Sequence, residues 1–370
     1  VREQADARLA VWRAANPEKA AAWDAARARQ LPADLESKLC EGMEGKADAT
    51  RKHGAVALER LAAAAPYYVG GSADLAGSAA PPILKGRGTV GPGAAAGEDP
   101  FAGANFHFGV REHAMGAITN GIALDGTFRS YCGTFLIFSD YMRPAIRLAA
   151  LMRVPSIFVF THDSIFLGED GPTHQPVEQL DALRAMPNLT VWRPADGVET
   201  AMAWAWIARH TGGPAMLALS RQSVPALKRE APFRPEHVLR GAYCVQDPGA
   251  PARVVLVATG SEVALACDAA DKLRAEGTAA RVVSMPCVSL FLEQPADYQR
   301  RLIPDDETLV VAIEAARGES LRRFVGRRGL VCGIDRFGAS APYPALAEAF
   351  GFTPDSIATR VRRQLAEAGA

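Results

Sequence analysis

Short apolar runs of strand length alternate with segments of helix length along most of this chain, and no other feature constrains its fold as tightly. YYVGGS, NFHFGV, RSYCGTF, SIFVFTH, LTVWRPA and AMLALSR read as strands, and TRKHGAVALERLAAAA, REHAMGAITNGIAL, FSDYMRPAIRLAALM and VETAMAWAWIARH read as helices between them. A second series follows with RVVLVATG, the helix SEVALACDAADKLRAEG, then ARVVSMPC, TLVVAIEA and LVCGIDRFG. Strand–helix–strand units of this kind close parallel pairs by crossovers, and a parallel sheet is covered by helices on both faces. The pattern therefore predicts two three-layer α/β/α domains with mostly parallel sheets.

The joints fall where the alternation lapses. Residues 1–45 are rich in alanine and charge, with Asn16-Pro17-Glu18 as a cap and helix start, and their apolar positions are too few for a core. They read as a connector of surface helices. Residues 46–226 form the first predicted domain, 227–240, proline-rich and of mixed charge, a linker, and 241–370 the second domain, ending in a helix opened by Thr353-Pro354-Asp355 and running to about Ala368. Residues 77–104, dense in Gly, Ala and Pro, form a long irregular segment of the kind that is usually functional or mobile.

Composition excludes several classes of function. Forty-one basic and forty-one acidic residues balance, which gives no general attraction to nucleic acid or an anionic membrane, so any anion must be met by a few placed residues. The six cysteines are scattered without a Cys-x-x-Cys pair or a histidine neighbour, arguing against a disulfide framework or structural zinc and for a reducing compartment. The apolar runs are too short to span a bilayer, and the charged start VREQADARLA is no signal peptide. A soluble cytoplasmic protein is expected, and the initial valine points to a start made by processing or truncation.

The densest chemistry lies in THDSIFLGEDGPTHQPVEQ, 161–179, which leaves the buried-looking strand SIFVF at its carboxyl end, where open α/β sheets bind ligands. It carries His162, His174 and several carboxylates, shaped by Gly168, Gly171 and Pro172; by residue type alone it is equally a solvated polar loop. Glu112 reads as a first-turn helix glutamate, Phe135, Phe138 and Tyr141 as one apolar helix face, and Arg221 as a surface ion-pair partner.

The segment nevertheless resembles the signature of the transketolases. ATRK (49–52), GGSADLAGS (70–78), GVREHAMGAITNGIA (109–123), GTFLIFSDY (133–141), WRPAD (192–196), ALSRQ (218–222), VATGSEV (257–263) and GIDRFGAS (333–340) match that family in the same order, from about residue 46 to the end. The resemblance implies a pyrimidine-binding and a C-terminal domain, thiamine diphosphate as cofactor, and reversible transfer of a two-carbon ketol unit from a ketose phosphate such as xylulose 5-phosphate to an aldose phosphate such as ribose 5-phosphate, in the pentose phosphate pathway. It implies that Glu112 engages the aminopyrimidine nitrogen, that Phe135, Phe138 and Tyr141 enclose that ring, and that Asp74 lies near cofactor and donor. Arg51, Ser78, His162 and Arg221 match phosphate-binding positions, Asp170 a hydroxyl-recognising one, and His174 one that assists donor binding and proton transfer. Arginine suits the phosphate role through its forked donors.

Two departures bear on activity. Phe166 stands where the family usually has glycine, and its ring beside His162 is expected to narrow the substrate channel or alter the loop. The Gly-Asp-Gly motif that holds Mg²⁺ and the diphosphate, with its later asparagine, is not found, so those ligands are expected on a diphosphate-binding domain N-terminal to Val1 or on a companion chain. The chain is then expected to be inactive alone and to assemble as a homodimer or a heterotetramer. Dihydroxyacetone synthase is the alternative within the family; deoxyxylulose phosphate synthases and dehydrogenase β subunits lack the THDS…GEDGPTHQP loop. A non-catalytic dimerisation or binding module is the alternative outside it, and such a module has no need of Glu112, the aromatic trio or the phosphate-binding residues.

Overall fold

The computed structural model describes residues 1–78, 83–91, 99–230 and 232–368. Residues 79–82 and 92–98 of the irregular 77–104 segment lie outside the described residues. In the first domain, β1 (Asp48–Ala49), α4 (Thr50–Ala64), β2 (Tyr68–Ser72), β3 (Asn105–His107), α5 (Glu112–Asp125), β4 (Arg129–Phe135), α6 (Ser139–Met152), β5 (Ile157–Thr161), α7 (Gln179–Arg184), β6 (Thr190–Trp192), α8 (Gly197–Arg209), β7 (Ala215–Leu219) and β8 (Ser223–Val224) follow the three N-terminal helices α1 (Arg2–Ala15), α2 (Pro17–Arg27) and α3 (Leu35–Cys40). Six strands make a sheet in the order β3-β2-β4-β5-β7-β6, with every pairing parallel. Every residue of β4, β5 and β7 is buried, as continuous apolar strands covered on both faces require.

The second domain holds β9 (Tyr243–Gln246), β10 (Val254–Ala258), α9 (Glu262–Ala275), β11 (Ala280–Ser284), β12 (Leu309–Ile313) and β13 (Leu330–Cys332), and closes with the helix Pro354–Ala368. Its sheet runs β13-β12-β10-β11-β9, parallel except for β9, which pairs antiparallel with β11 at the edge. The closing helix starts as expected, with Thr353 Oγ1 accepting from the Ser356 N–H at 3.2 Å. Among the described residues, no helix is long and apolar enough to cross a membrane.

Three expectations need revision. The connector is not wholly a surface element: α1 buries nothing, but Leu35, Leu39 and Met43 sink into the core that underlies both domains. Asn16 also does not cap α2 through its side chain; its amide donates to the Trp12 carbonyl at 3.0 Å and so closes α1 instead. The stretch read as a linker is pinned. The Leu227 N–H donates to Asp196 Oδ2 at 3.2 Å, Arg229 grips Asp196 through two bonds of 2.8 and 2.9 Å, and Val238 is fully buried. The same carboxylate caps α8, where Asp196 Oδ1 accepts from the Glu199 N–H at 3.0 Å.

Candidate active site

The parallel order places four strand ends side by side, and the motif residues stand on them. Asp74 follows β2, Phe135 ends β4, His162 follows β5 and Arg221 lies just beyond β7, all at the carboxyl edge where such sheets bind ligands. Asp74 and His162 both have φ 60°, a left-handed conformation that residues bearing a Cβ rarely adopt. Strain of that kind, about 1–3 kcal/mol each, gathers at functional sites.

The aromatic side chains form a ladder. The His162 ring stacks on Phe135 with centroids 3.6 Å apart; Phe135 stacks on Phe138 at 5.9 Å, and Phe138 on Tyr141 at 6.1 Å. His174 stands edge-on to Phe138 at 5.6 Å and to Phe135 at 6.4 Å, and its Nδ1 lies 2.9 Å from Thr173 Oγ1. Burial falls along the ladder, from His162 at 3% exposed to Tyr141 at 65%. A helix face made for the core would be buried throughout; this one steps out of the protein.

Beside the ladder lies a cationic patch. Ser220 ties β7 to the start of α4: its hydroxyl accepts from the Thr50 N–H at 3.0 Å and its N–H donates to Thr50 Oγ1 at 2.7 Å. That clasp sets Arg51 next to Arg221. Arg51 donates to the Ser78 carbonyl, while its buried Nε has no partner among the described residues. Burial holds the Arg51 guanidinium below its usual range, with Arg221 adding to the effect. The same causes act on His162, where burial, then Arg51, Arg221 and His174, push the imidazole down to about 3 and keep it neutral at physiological pH. Two guanidinium groups and a neutral imidazole can receive a phosphate.

The remaining predicted residues are more scattered. Glu112 stands half-exposed in the first turn of α5, which packs against α6, and no hydrogen bond or ion pair engages its carboxylate among the described residues. Asp170 is exposed on the turn between Gly168 and Gly171, both with positive φ. Ser78 meets Arg51 through its carbonyl, not through its hydroxyl.

Phe166 is a correction. Its ring does not line a channel beside His162; it is 3% exposed and meets Tyr343 and Phe352 of the second domain edge-on, at 5.1 and 5.6 Å. The signature loop is held from the same side. The Gln175 amide donates to the carbonyls of Ile165, Gly168 and Ala339 at 2.8–3.0 Å, and Ser340 Oγ donates to the Glu169 carbonyl.

Sequence reasoning also missed a buried ion network. Arg193, fully buried, donates through Nε to Asp163 at 2.9 Å and through Nη1 to Thr259 and Glu262. Arg184 grips Glu314 at 2.8 and 2.9 Å, and Thr259 Oγ1 donates to Glu314 at 2.6 Å. Glu262 begins a helix, within the stretch SEVALACDAADKLRAEG read as one, but its side chain points into the seam between the domains. THDS, WRPAD and GSEV each stand in the sequence, yet nothing in residue type pairs them.

The comparisons with known proteins agree with this fold. The transketolase pyrimidine-binding domain family matches residues 46–226, and the transketolase-like C-terminal domain family matches residues 241–353. Together they define a two-domain module of the thiamine diphosphate enzymes. A transketolase of Geobacillus stearothermophilus is 46% identical over 359 residues, covering 96% of this chain and 52% of that protein. A crystal structure of Pichia stipitis transketolase in complex with sedoheptulose 7-phosphate superposes with a TM-score of 0.88 at 38% identity, covering 98% of this chain and 53% of the other. A structure described as a split gene transketolase, inactive beta4 tetramer, shares the fold with a TM-score of 0.66 at 24% identity, covering 87% of this chain and 99% of its own. The chain belongs to the transketolase family. It spans about half the length of the curated relatives it matches.

Proposed function

We propose that this chain supplies the pyrimidine-binding side of a transketolase site and takes part in reversible transfer of a two-carbon ketol unit between a ketose phosphate and an aldose phosphate. The observation that carries the reading is the junction at His162, where an outward-stepping aromatic ladder meets a pair of arginines. An aromatic face and a cationic pocket so close together suit a flat heterocycle beside a phosphorylated sugar.

The residues present fit the pyrimidine end of thiamine diphosphate: a half-buried ring at Phe138, an exposed one at Tyr141, and an uncommitted carboxyl at Glu112. For Mg²⁺, the described residues offer no cluster of three or more His, Cys, Asp or Glu side chains. When bound, the cofactor supplies the carbon nucleophile that carries the two-carbon unit. Glu112 holds a proton against the ring nitrogen, and Phe135, Phe138 and Tyr141 orient the ring and exclude water from it. Arg51 and Arg221, with Ser78 and the neutral His162, hold the sugar phosphate; Asp170 accepts from a sugar hydroxyl; His174 moves a proton at the donor's reacting hydroxyl; Asp74 lines the donor end.

A companion chain or domain with the diphosphate-binding residues completes the site. Support comes from α5, α6 and the turn before α5, which leave the large apolar side chains of Val110, Ile118, Leu124, Tyr141, Leu148 and Leu151 exposed. Exposed apolar side chains of this kind suit an interaction surface. A fold of this extent standing as a chain of its own is described for the split gene transketolase, whose beta4 tetramer is described as inactive.

Native mass spectrometry with thiamine diphosphate and Mg²⁺, followed by a ketol-transfer assay, tests the proposal. The expected result is a complex of this chain with a diphosphate-binding polypeptide, cofactor bound, active with xylulose 5-phosphate and ribose 5-phosphate. Full activity of the rigorously isolated chain would remove the need for a companion, and an assembled, cofactor-bound complex without transfer would remove the function.

A further inference from the structure

His162 keeps its φ of 60° only if its surroundings over-determine it. The ring is held on one side, stacked at 3.6 Å on Phe135 with Nδ1 2.9 Å from Thr161 Oγ1. The backbone is held through the next residue, Asp163, whose buried Oδ2 accepts from Arg193 Nε at 2.9 Å. Arg193 is fixed in turn by the second domain. Its Nη1 donates to the Thr259 carbonyl at 3.0 Å, to Thr259 Oγ1 at 2.9 Å and to the Glu262 carboxylate, which also accepts from the Ala315 N–H at 2.8 Å. Gly260 leaves the space the guanidinium uses, since a Cβ there would lie 2.7 Å from its carbon.

Glu262 is fully buried in a domain to which none of the predicted substrate residues belongs. Burying an ion costs several kcal/mol before its partner repays it, and apolar side chains join domains without that cost. What a forked ion pair adds is a direction: it fixes where Asp163 sits, and so the turn on which His162 stands. We propose that Glu262 is a positioning residue, acting through Arg193 and Asp163 to hold His162 in its left-handed conformation against Phe135. Its bearing on substrate rests on the reading of His162 given above.

NMR of the full chain with labelled histidine side chains, between pH 5 and 8, tests this. In the wild type His162 stays neutral throughout, buried and faced by Arg51, Arg221 and His174. In Glu262→Ala the ring leaves Phe135, loses its ring-current shift, and titrates inside that window as its pKa climbs toward the ordinary imidazole value of about 6.5. Glu262→Gln keeps an oxygen for Arg193 Nη1 and the Ala315 N–H, and restores the silent imidazole. A folded Glu262→Ala chain whose His162 still does not titrate overturns the proposal, whatever its melting temperature. If that variant does not fold, Arg193→Lys, which keeps the charge but lacks the fork that reaches both carboxylates, is read the same way. Adding ribose 5-phosphate to the wild type separates the two ideas: histidine resonances that ignore it count against the substrate site, while the titration still decides the positioning.

Discussion

At the carboxyl ends of β2, β4, β5 and β7 stand Asp74, Phe135, His162 and Arg221; at the corresponding ends of β10, β12 and β13 stand Thr259, Glu314 and the loop 333–340. The first edge is open, with Asp74 and Arg221 exposed on it. The second is filled by the first domain itself, with Arg193 on Thr259, Arg184 on Glu314, and the Gln175 amide on Ala339. Both sheets offer the same topological place for a ligand. One domain leaves it open, and the other uses it to grip its neighbour. A crevice at a strand end is therefore an opportunity that the fold provides, and the side chains reaching into it decide whether it becomes a site or a seam.

This contrast can be broken by substitution. If the open edge serves chemistry, Glu112→Gln should lower ketol transfer by the assembled enzyme about 10²–10⁴-fold, the usual share of a proton-handling carboxyl, with the fold unchanged by circular dichroism. If the filled edge serves structure, Arg184→Met takes the forked ion partner from the fully buried Glu314, leaving it the Thr259 hydroxyl, and should cost about 3–5 kcal/mol in urea unfolding. An equal loss of stability from Glu112→Gln would erase the distinction.

Acid sharpens the comparison on the open side. The folded His162 pKa, near 3, lies below that of an unfolded histidine, so below about pH 6.5 the unfolded chain binds more protons. Stability should then fall as pH drops from 6.5 toward 3, by up to about 1.4 kcal/mol per unit from this group. Urea midpoints of the wild type and His162→Gln at pH 7, 6 and 5 should show the acid slope to be shallower in the variant. The smallest effect is expected at Phe166. Phe166→Leu should cost less than about 1.5 kcal/mol and leave the His162 titration where it was, because the ring packs on Tyr343 and Phe352. A shift at His162 would return Phe166 to the site.

The sequence made the fold class legible because strand-length apolar runs and helices alternate through both domains, and the motif order placed Asp74, Phe135, His162 and Arg221 on successive turns. Other features were hidden for physical reasons. Leu35, Leu39 and Met43 looked like a sparse surface pattern because a short helix can dock on a core built elsewhere. β9 is a brief antiparallel edge strand with half-buried alternation, and did not stand out beside its apolar neighbours. Phe166 was placed beside His162 by its nearness along the chain, yet the helical turn at 165–167 carries it to the opposite side. The pairing of Arg193 with Asp163 and Glu262 joins residues 30 and 69 apart, and no local pattern reports a contact of that range.

The pinned stretch between the domains has a consequence for how the chain comes apart. Arg229 on Asp196, the Arg193 network and a shared core leave no point where one domain could loosen while the other stays whole. The proline-rich residues 227–240 look like a hinge on paper, but the chain should melt in a single cooperative transition, and a protease should find no early cut there that frees two intact halves.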